Sequence, residues 1–491
     1  MGSSLFGPIR ESRGLEKGVA CLLCTLIHLS GKFSVKNKLP AKSAISVALI
    51  LFLMSCSAKE TAAPGPAEEE TALISTQAGN APAIESFYGP ILEQLDEDMQ
   101  QYVQSGKVSN LAYALIKDGD RIQSGYFGTR TLNGSDPVDD RTIYRIGSMT
   151  KAVTAVSLLM LLEEGKFSLD DPITRFLPEL NNLQVTRSFQ SGSSGGLRPA
   201  DRAPTMQELL THTAGFAIGD GQTDYANRVF QQQGVDGATT NEEYLKRLSG
   251  VPLMYQPGTA WSYSAASDLQ GIIIERISGE RLGAFMKRRI FDPLGMVDTG
   301  FSVSDAQRDR LADVTAWTPG QPLAKIEGPM QDMDAAHLPR DAGGHGLVST
   351  IADYERFAEM LLYEGTLDGE RLLSPDSVRL LRTSGTDFSD PETGFPMYQP
   401  FRGTGFGFGV AVVTNTIRSG LGAPEGTYFW DGAYGTWFWI DPYHDIIFIG
   451  MVQNLSANPV MPRKTAMTDV YHALFTDYFP SNPVVEEDLP E

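Results

Sequence analysis

"RIGSMTKAVTAVSLLMLLEEGK", residues 145–166, sets a serine and a lysine three positions apart at the start of a long apolar run. Val153, Val156, Leu158, Leu159 and Leu162 supply apolar helix positions, and Gly165 is a fitting stop. Residues i and i+3 of a helix share a face, so the Lys151 amine can approach the Ser148 hydroxyl. Two readings fit these letters. Ser148 caps the helix and Lys151 is a surface charge, or Ser148 is a nucleophile with Lys151 as its proton partner. The rest of the chain has to separate them.

The 491 residues are 42% apolar, with 49 glycines and 29 prolines. That is a globular composition, long enough for a large core and two subdomains. A formal charge of −20 argues against nucleic acid as a partner, which wants a basic patch. The three cysteines, Cys21, Cys24 and Cys56, all lie near the N-terminus. This excludes a disulfide framework, a thiol nucleophile and a cysteine metal site in the body. Cys21 and Cys24 form a lone CxxC in an apolar run, with no second pair downstream. The six histidines show no H-E-x-x-H or other metal spacing, so neither a metal nor a cofactor is expected.

Residues 1–56 read as a targeting segment. Lys32, Lys36, Lys38 and Lys42 precede an apolar run from about Ala44 to Met54, too short for a comfortable membrane-spanning helix. "LMSC" resembles a bacterial lipobox, which would make Cys56 the lipidated residue and tie the protein to a bacterial membrane. The expectation is an exported lipoprotein, periplasmic or on the cell surface. A start at position 35 would open the chain as Met-Lys-Asn-Lys, a normal signal beginning. Residues 57–85, rich in Ala, Pro, Glu, Thr and Gly, read as a flexible tether.

A body follows over 86–480, with an acidic tail at 481–491. Ile91, Leu92, Leu95, Met99 and Val103 share a helical face. "LAYALIKDGDRIQSGYFGTR" reads as a hairpin about Asp118-Gly119. Helical segments dominate about 171–335, and "SGSSGGLRPADRAP" reads as a surface loop. Strands return in "GTYFWDGAYGTWFWIDPYHDIIFIGMVQN", and "DVYHALFTDYF" closes with a helix. Strands at both ends with helices between predict an α/β fold: one discontinuous domain (about 86–170 and 336–480) carrying an inserted, mainly helical part.

Two further stretches can carry chemistry. Tyr263, in "TAWSYSAASDLQGIIIERISG", stands at a loop-to-helix junction. It is either a core aromatic or a proton shuttle. In Trp430-Asp431-Gly432-Ala433-Tyr434, a glycine interrupts an aromatic strand. The strand is either simply bulged, or its backbone N–H approaches a reacting oxygen.

"SMTK", "YSA" and "WDG", in this order, resemble the serine β-lactamase and penicillin-binding superfamily, in its class C-like branch that includes family VIII carboxylesterases. "ELLTHTAGF", "FDPLGM", "GGHGLVST" and "GTWFWIDP" add to the likeness, which spans about residues 88–475. The resemblance implies an antiparallel sheet flanked by helices plus an inserted helical domain. It implies Ser148 as the acylated nucleophile, Lys151 assisting its deprotonation and Tyr263 shuttling a proton. It implies an oxyanion hole at the N–H groups of Ser148 and Ala433, with Trp430 and Gly432 shaping the opposite wall. Two departures stand out: Ala265 replaces an asparagine, and Trp430 replaces a cationic residue. Both tilt the expected substrate from β-lactams and peptides towards small-molecule esters. A class C-like β-lactamase or D-alanyl-D-alanine carboxypeptidase is the alternative, and a catalytically weak binding protein a third.

Other features are weaker. Ser194 formally matches G-x-S-x-G, but "LRPADRAP" after it cannot form the helix that motif needs. Ser267-Asp268-Leu269 reads less well than Tyr263 as the second motif. His212 is expected to be structural, and His345 to be structural or to line the pocket.

Overall fold

Asp118 and Gly119 both adopt positive φ, 53° and 84°. This two-residue turn matches the twist of the strands it joins, β1 (Asn110–Lys117) and β2 (Asp120–Gly128). The hairpin about Asp118-Gly119 is therefore as the sequence indicates. The structure is a computed structural model that describes residues 84–188, 195–219, 224–326, 333, 340–386, 402–456 and 462–475. Residues 1–83, with Cys21, Cys24, Cys56 and the expected tether, lie outside the described residues, as do Ser194 and the acidic tail.

β1 does not stay with its hairpin partner alone. Its other edge pairs antiparallel with Ile446–Met451, near the far end of the described chain. With β3 (Tyr144–Arg145) and β4 (Val348–Ser349) forming a small separate ladder, the later sheet strands are β5 (Thr404–Phe406), β6 (Ala411–Val413), β7 (Tyr428–Asp431), β8 (Trp437–Asp441) and β9 (Ile446–Met451). The main sheet runs β5-β6-β7-β8-β9-β1-β2. Every neighbouring pair is antiparallel.

Helices cover both faces of this sheet, which is why β1, β8 and β9 are buried along nearly their whole length. Successive residues of β8 point to opposite sides. Trp439 stacks on Phe448 at 4.3 Å and reaches Tyr471 of the closing helix, Arg463–Phe475. Phe438 meets Tyr354 of helix Ile351–Leu362 at 5.2 Å. On the Trp439 side, Tyr113 donates a 2.6 Å hydrogen bond to Asp96 of the first helix, Ile84–Gln104. Leu95 and Met99 of that helix are buried, with Leu92 and Val103 packed against the core.

The helix that follows "SMTK", Thr150–Glu163, is buried on every side from Thr150 to Leu161. An all-round apolar sequence suits an internal helix rather than an amphipathic surface one. It packs against Ala266–Ser278, the helix that follows Tyr263. The inserted part is mainly helical, including Tyr225–Gln233 and Asn241–Leu248. It also holds short strand pairs. One of them, Gln184–Thr186 with Leu197–Pro199, runs through the stretch read as a plain surface loop. No helix among the described residues is long and apolar enough to cross a membrane.

Candidate active site

Four chain segments meet at Ser148. Its own turn, Gly147–Met149, is a short 3-10 helix leading into Thr150–Glu163. The cap reading of Ser148 is corrected here: Met149 occupies the cap position, and no side chain caps the helix. The Ser148 hydroxyl turns instead to two proton carriers. Tyr263 Oη donates to Ser148 Oγ at 2.7 Å, and Lys151 Nζ donates to it at 3.3 Å. The Lys151 ammonium also lies 4.6 Å from the Tyr263 ring centroid, in cation–π range.

Lys151 is not a surface charge, since only 2% of it is exposed. A buried ammonium needs acceptors. One is the Gly344 carbonyl, 2.6 Å away. The Gly343 carbonyl accepts from Thr154 at 2.7 Å, one turn further along the same helix. The "GGHG" stretch is held there by the β3–β4 ladder, by Ile146 N–H donating to the Leu347 carbonyl, and by Leu347 N–H donating to Thr150 Oγ1.

The fourth segment is the β7–β8 turn. Thr436 Oγ1 donates to the Ile146 carbonyl at 3.0 Å, fastening the turn to the nucleophile's own segment. Gly432 is buried there, and a Cβ on it would collide with Thr436 Oγ1 and with that carbonyl. Gly147 has φ +51°, and a Cβ on it would lie 3.0 Å from Ala433 N. The Ala433 backbone nitrogen therefore borders the Ser148 turn. Among the described residues, neither the Ser148 nor the Ala433 N–H donates a hydrogen bond to another group. Two such donors side by side can hold a developing oxyanion.

Tyr263 is held from behind. Its ring stacks on His212 at 5.4 Å and lies 5.5 Å from Trp430. His212 is fully buried, and burial, then the nearby Lys151 charge, pushes its pKa well below the usual imidazole range. The ring is neutral. Its Nδ1 accepts from the Ser264 N–H at 3.1 Å, which places the proton on Nε2. The His212 carbonyl accepts from Ser262 N–H at 3.1 Å. One histidine thus grips the residues on both sides of Tyr263. Trp430 is only 6% exposed, and its ring packs 5.5 Å from that of Tyr263.

A cleft of about 290 Å³ opens over Ser148, Lys151 and Tyr263. Ala265 and His345 line it, as do Ile218, Phe230 and Tyr244 from the inserted part. It also includes Asp268, which sequence reasoning considered only as part of a degraded motif. Asp268 is 7% exposed and paired with Arg340 at 3.0 Å. Arg340 in turn lies 4.1 Å from the Tyr244 ring. The sequence signal for Asp268 was its place five residues after Tyr263, in the first turn of the next helix. Arg340 had none. Among the described residues, no group of His, Cys, Asp and Glu is arranged to hold a metal ion.

A protein of Mycobacterium tuberculosis, Rv1367c, is 38% identical over 341 residues, covering 68% of this chain and 82% of that one. Esterase EstB of Burkholderia gladioli is 29% identical over 363 residues, covering 70% and 86%. Among solved structures, EstCE1, a hydrolase with promiscuous acyltransferase activity, superposes with a TM-score of 0.64 at 23% identity, covering 79% of this chain and 99% of that one. The Beta-lactamase family model matches residues 95–470, and the chain belongs to that family, as a serine hydrolase of its esterase-like branch.

Proposed function

We propose that the protein is an exported carboxylesterase that works through an acyl-enzyme on Ser148. The observation that carries this reading is the position of Ser148 Oγ, 2.7 Å from Tyr263 Oη and 3.3 Å from Lys151 Nζ at the floor of the cleft. Ser148 Oγ attacks the ester carbonyl carbon as its proton passes to Tyr263 Oη, beside Lys151, and Tyr263 relays a proton towards the alcohol oxygen. The carbonyl oxygen becomes an oxyanion between the N–H groups of Ser148 and Ala433. Collapse breaks the bond to the alcohol oxygen, which leaves with the proton from Tyr263. Water then attacks the acyl-Ser148 carbonyl and gives its proton to Tyr263, which hands it to Ser148 Oγ as the bond to the acyl carbon breaks and the acid leaves.

The cleft lining supports esters over β-lactams. Ala265 offers no amide to hold a substrate amide, and Trp430 brings no cation to the site. EstB, similar over 70% of the chain, carries the name esterase. The test is turnover of p-nitrophenyl acetate, p-nitrophenyl butyrate and nitrocefin by wild type and Ser148→Ala. Short esters turned over by wild type and not by Ser148→Ala support the reading. Nitrocefin turnover without ester turnover would replace it with the β-lactamase alternative.

Export rests on the sequence around Cys56, and the proposed anchor is a lipid on that cysteine in a bacterial membrane. Detergent phase partition of wild type against Cys56→Ala tests it. The anchor predicts that only the wild type enters the detergent phase.

A further inference from the structure

Lys151 has charged company on the side away from Ser148. Gly344 separates it from Asp268: a Cβ at that position would lie 2.7 Å from Asp268 Oδ2 and 3.5 Å from Lys151 Nζ. The glycine leaves a gap through which a carboxylate and an ammonium face each other. Asp268 sits on helix Ala266–Ser278, and Lys151 on helix Thr150–Glu163. The two helices pack together, so this geometry belongs to the core.

We infer that Asp268 is a positioning residue whose carboxylate, clamped by Arg340, faces the Lys151 ammonium and through it governs the proton traffic between Ser148 and Tyr263. This rests on the Ser-Lys-Tyr reading above and adds two residues to it. An isolated carboxylate in this place would be costly to bury. Arg340 Nη1 holds Asp268 Oδ1 at 3.0 Å, and both side chains are nearly fully covered, at 8% and 9% exposed. Burial alone would raise the Asp268 carboxyl. Arg340, then His345 and Lys151, outweigh that and hold it below the usual carboxylate range. Asp268 is therefore a fixed negative charge at neutral pH. Arg340 does more than neutralise it, because the guanidinium also fixes where the carboxylate points.

The other groups around Lys151 do not supply this charge. Ser148 and Tyr263 are its partners in proton transfer, and Gly344 offers a neutral carbonyl. His212 is neutral. His345 lines the same cleft and interacts with both Asp268 and Lys151, but any charge it carried would be positive. Asp236 also lines the cleft, acting on Arg340 and Tyr244. Asp268, by contrast, is an acidic group that the Lys151 charge acts on directly.

The experiment is the pH dependence of kcat/KM for p-nitrophenyl butyrate in wild type, Asp268→Asn, Arg340→Gln and the double variant. Loss of a negative charge beside the ammonium makes proton loss from the site easier. Asp268→Asn should move the acidic limb to lower pH by about one unit. Arg340→Gln removes the opposing cation and should move it to higher pH. The double variant should fall between the two. Limbs that stay at the wild-type position in both single variants, or move in the same direction, overturn the proposal even if rates fall. Should Asp268→Asn not fold, the direction of the shift in Arg340→Gln decides alone. Ser148→Ala separates the two levels. Turnover surviving in it removes the Ser148 mechanism and this role together. An inactive Ser148→Ala with an unmoved profile in the charge variants removes only the role of Asp268.

Discussion

Tyr263 Oη reaches Ser148 Oγ at 2.7 Å although the two residues are 115 positions apart. The contact places a proton carrier closer to the nucleophile than Lys151, its neighbour on the same turn, at 3.3 Å. Tyr263→Phe keeps the ring, and with it the stack on His212 and the cation–π contact of Lys151. It removes only the hydroxyl. The expected outcome is a fall in kcat of about 10²–10⁴-fold, the usual range for a lost general acid–base group. Thermal unfolding should change little. The assay is p-nitrophenyl butyrate turnover alongside a melting curve, and an active Tyr263→Phe would move the proton transfer to Lys151.

His212 makes folding sensitive to acid. Its pKa in the fold lies well below the usual 6.5, so the unfolded chain binds a proton that the folded protein refuses. The unfolded state therefore gains as pH drops below about 6.5, and stability falls by up to about 1.4 kcal/mol per pH unit. The contribution is fully present above pH 6.5 and is lost on the acid side. His212→Gln cannot titrate. It should start less stable, through the lost stack and hydrogen bond, and decline less steeply between pH 6.5 and 5. Denaturant unfolding at several pH values in that range measures both slopes; parallel slopes would show that His212 does not set the acid sensitivity.

How much of this was legible in the sequence depends on how local each signal is. The Asp118-Gly119 turn was legible because positive φ is a demand on two adjacent residues. Ser148, Lys151 and Tyr263 were legible because each sits in a short local motif, and the order of those motifs resembles one family. The Asp268–Arg340 pair was not, since its partners stand 72 positions apart with no periodic relation. The cleft wall was hidden for a similar reason, as Phe230 and Tyr244 come from two short helices and Ile218 from the irregular stretch before them. Trp430 was legible as part of its strand, but not its contact with Tyr263. An alternating strand pattern says which residues share a face, and not which aromatic a given face will meet.

Gly147 tests the oxyanion donors without touching a side chain of the site. Its φ of +51° is unfavourable for any residue with a Cβ, and that Cβ would press on Ala433 N at 3.0 Å. Gly147→Ala should push the Ala433 N–H out of line with the Ser148 N–H. The expected cost is about 10²–10³-fold in kcat, comparable to losing one oxyanion donor. KM for p-nitrophenyl butyrate should change much less, because the donors act on charge that develops only in the transition state. A rise in KM with kcat unchanged would mean that Ala433 N–H binds the ester and does not stabilise its transition state.

Asp469 gives the opposite pH dependence at a place remote from chemistry. It lies on the closing helix, Arg463–Phe475, which packs against the first helix, Ile84–Gln104. Burial, then the charge of Asp98 on that first helix, pushes its carboxyl up to about 7. The folded protein thus holds a proton that the unfolded chain releases near the ordinary carboxylate value. Stability from this group is fully present below about pH 4 and is lost as pH rises towards 7. Asp469→Asn keeps the shape and removes the charge. Its melting temperature should match wild type near pH 4 and exceed it at pH 8. Because the site is half-exposed, solvent screening will make the gain modest. Melting curves at the two pH values check it. An equal gain at both would point to a packing effect of the amide and not to the carboxyl pair.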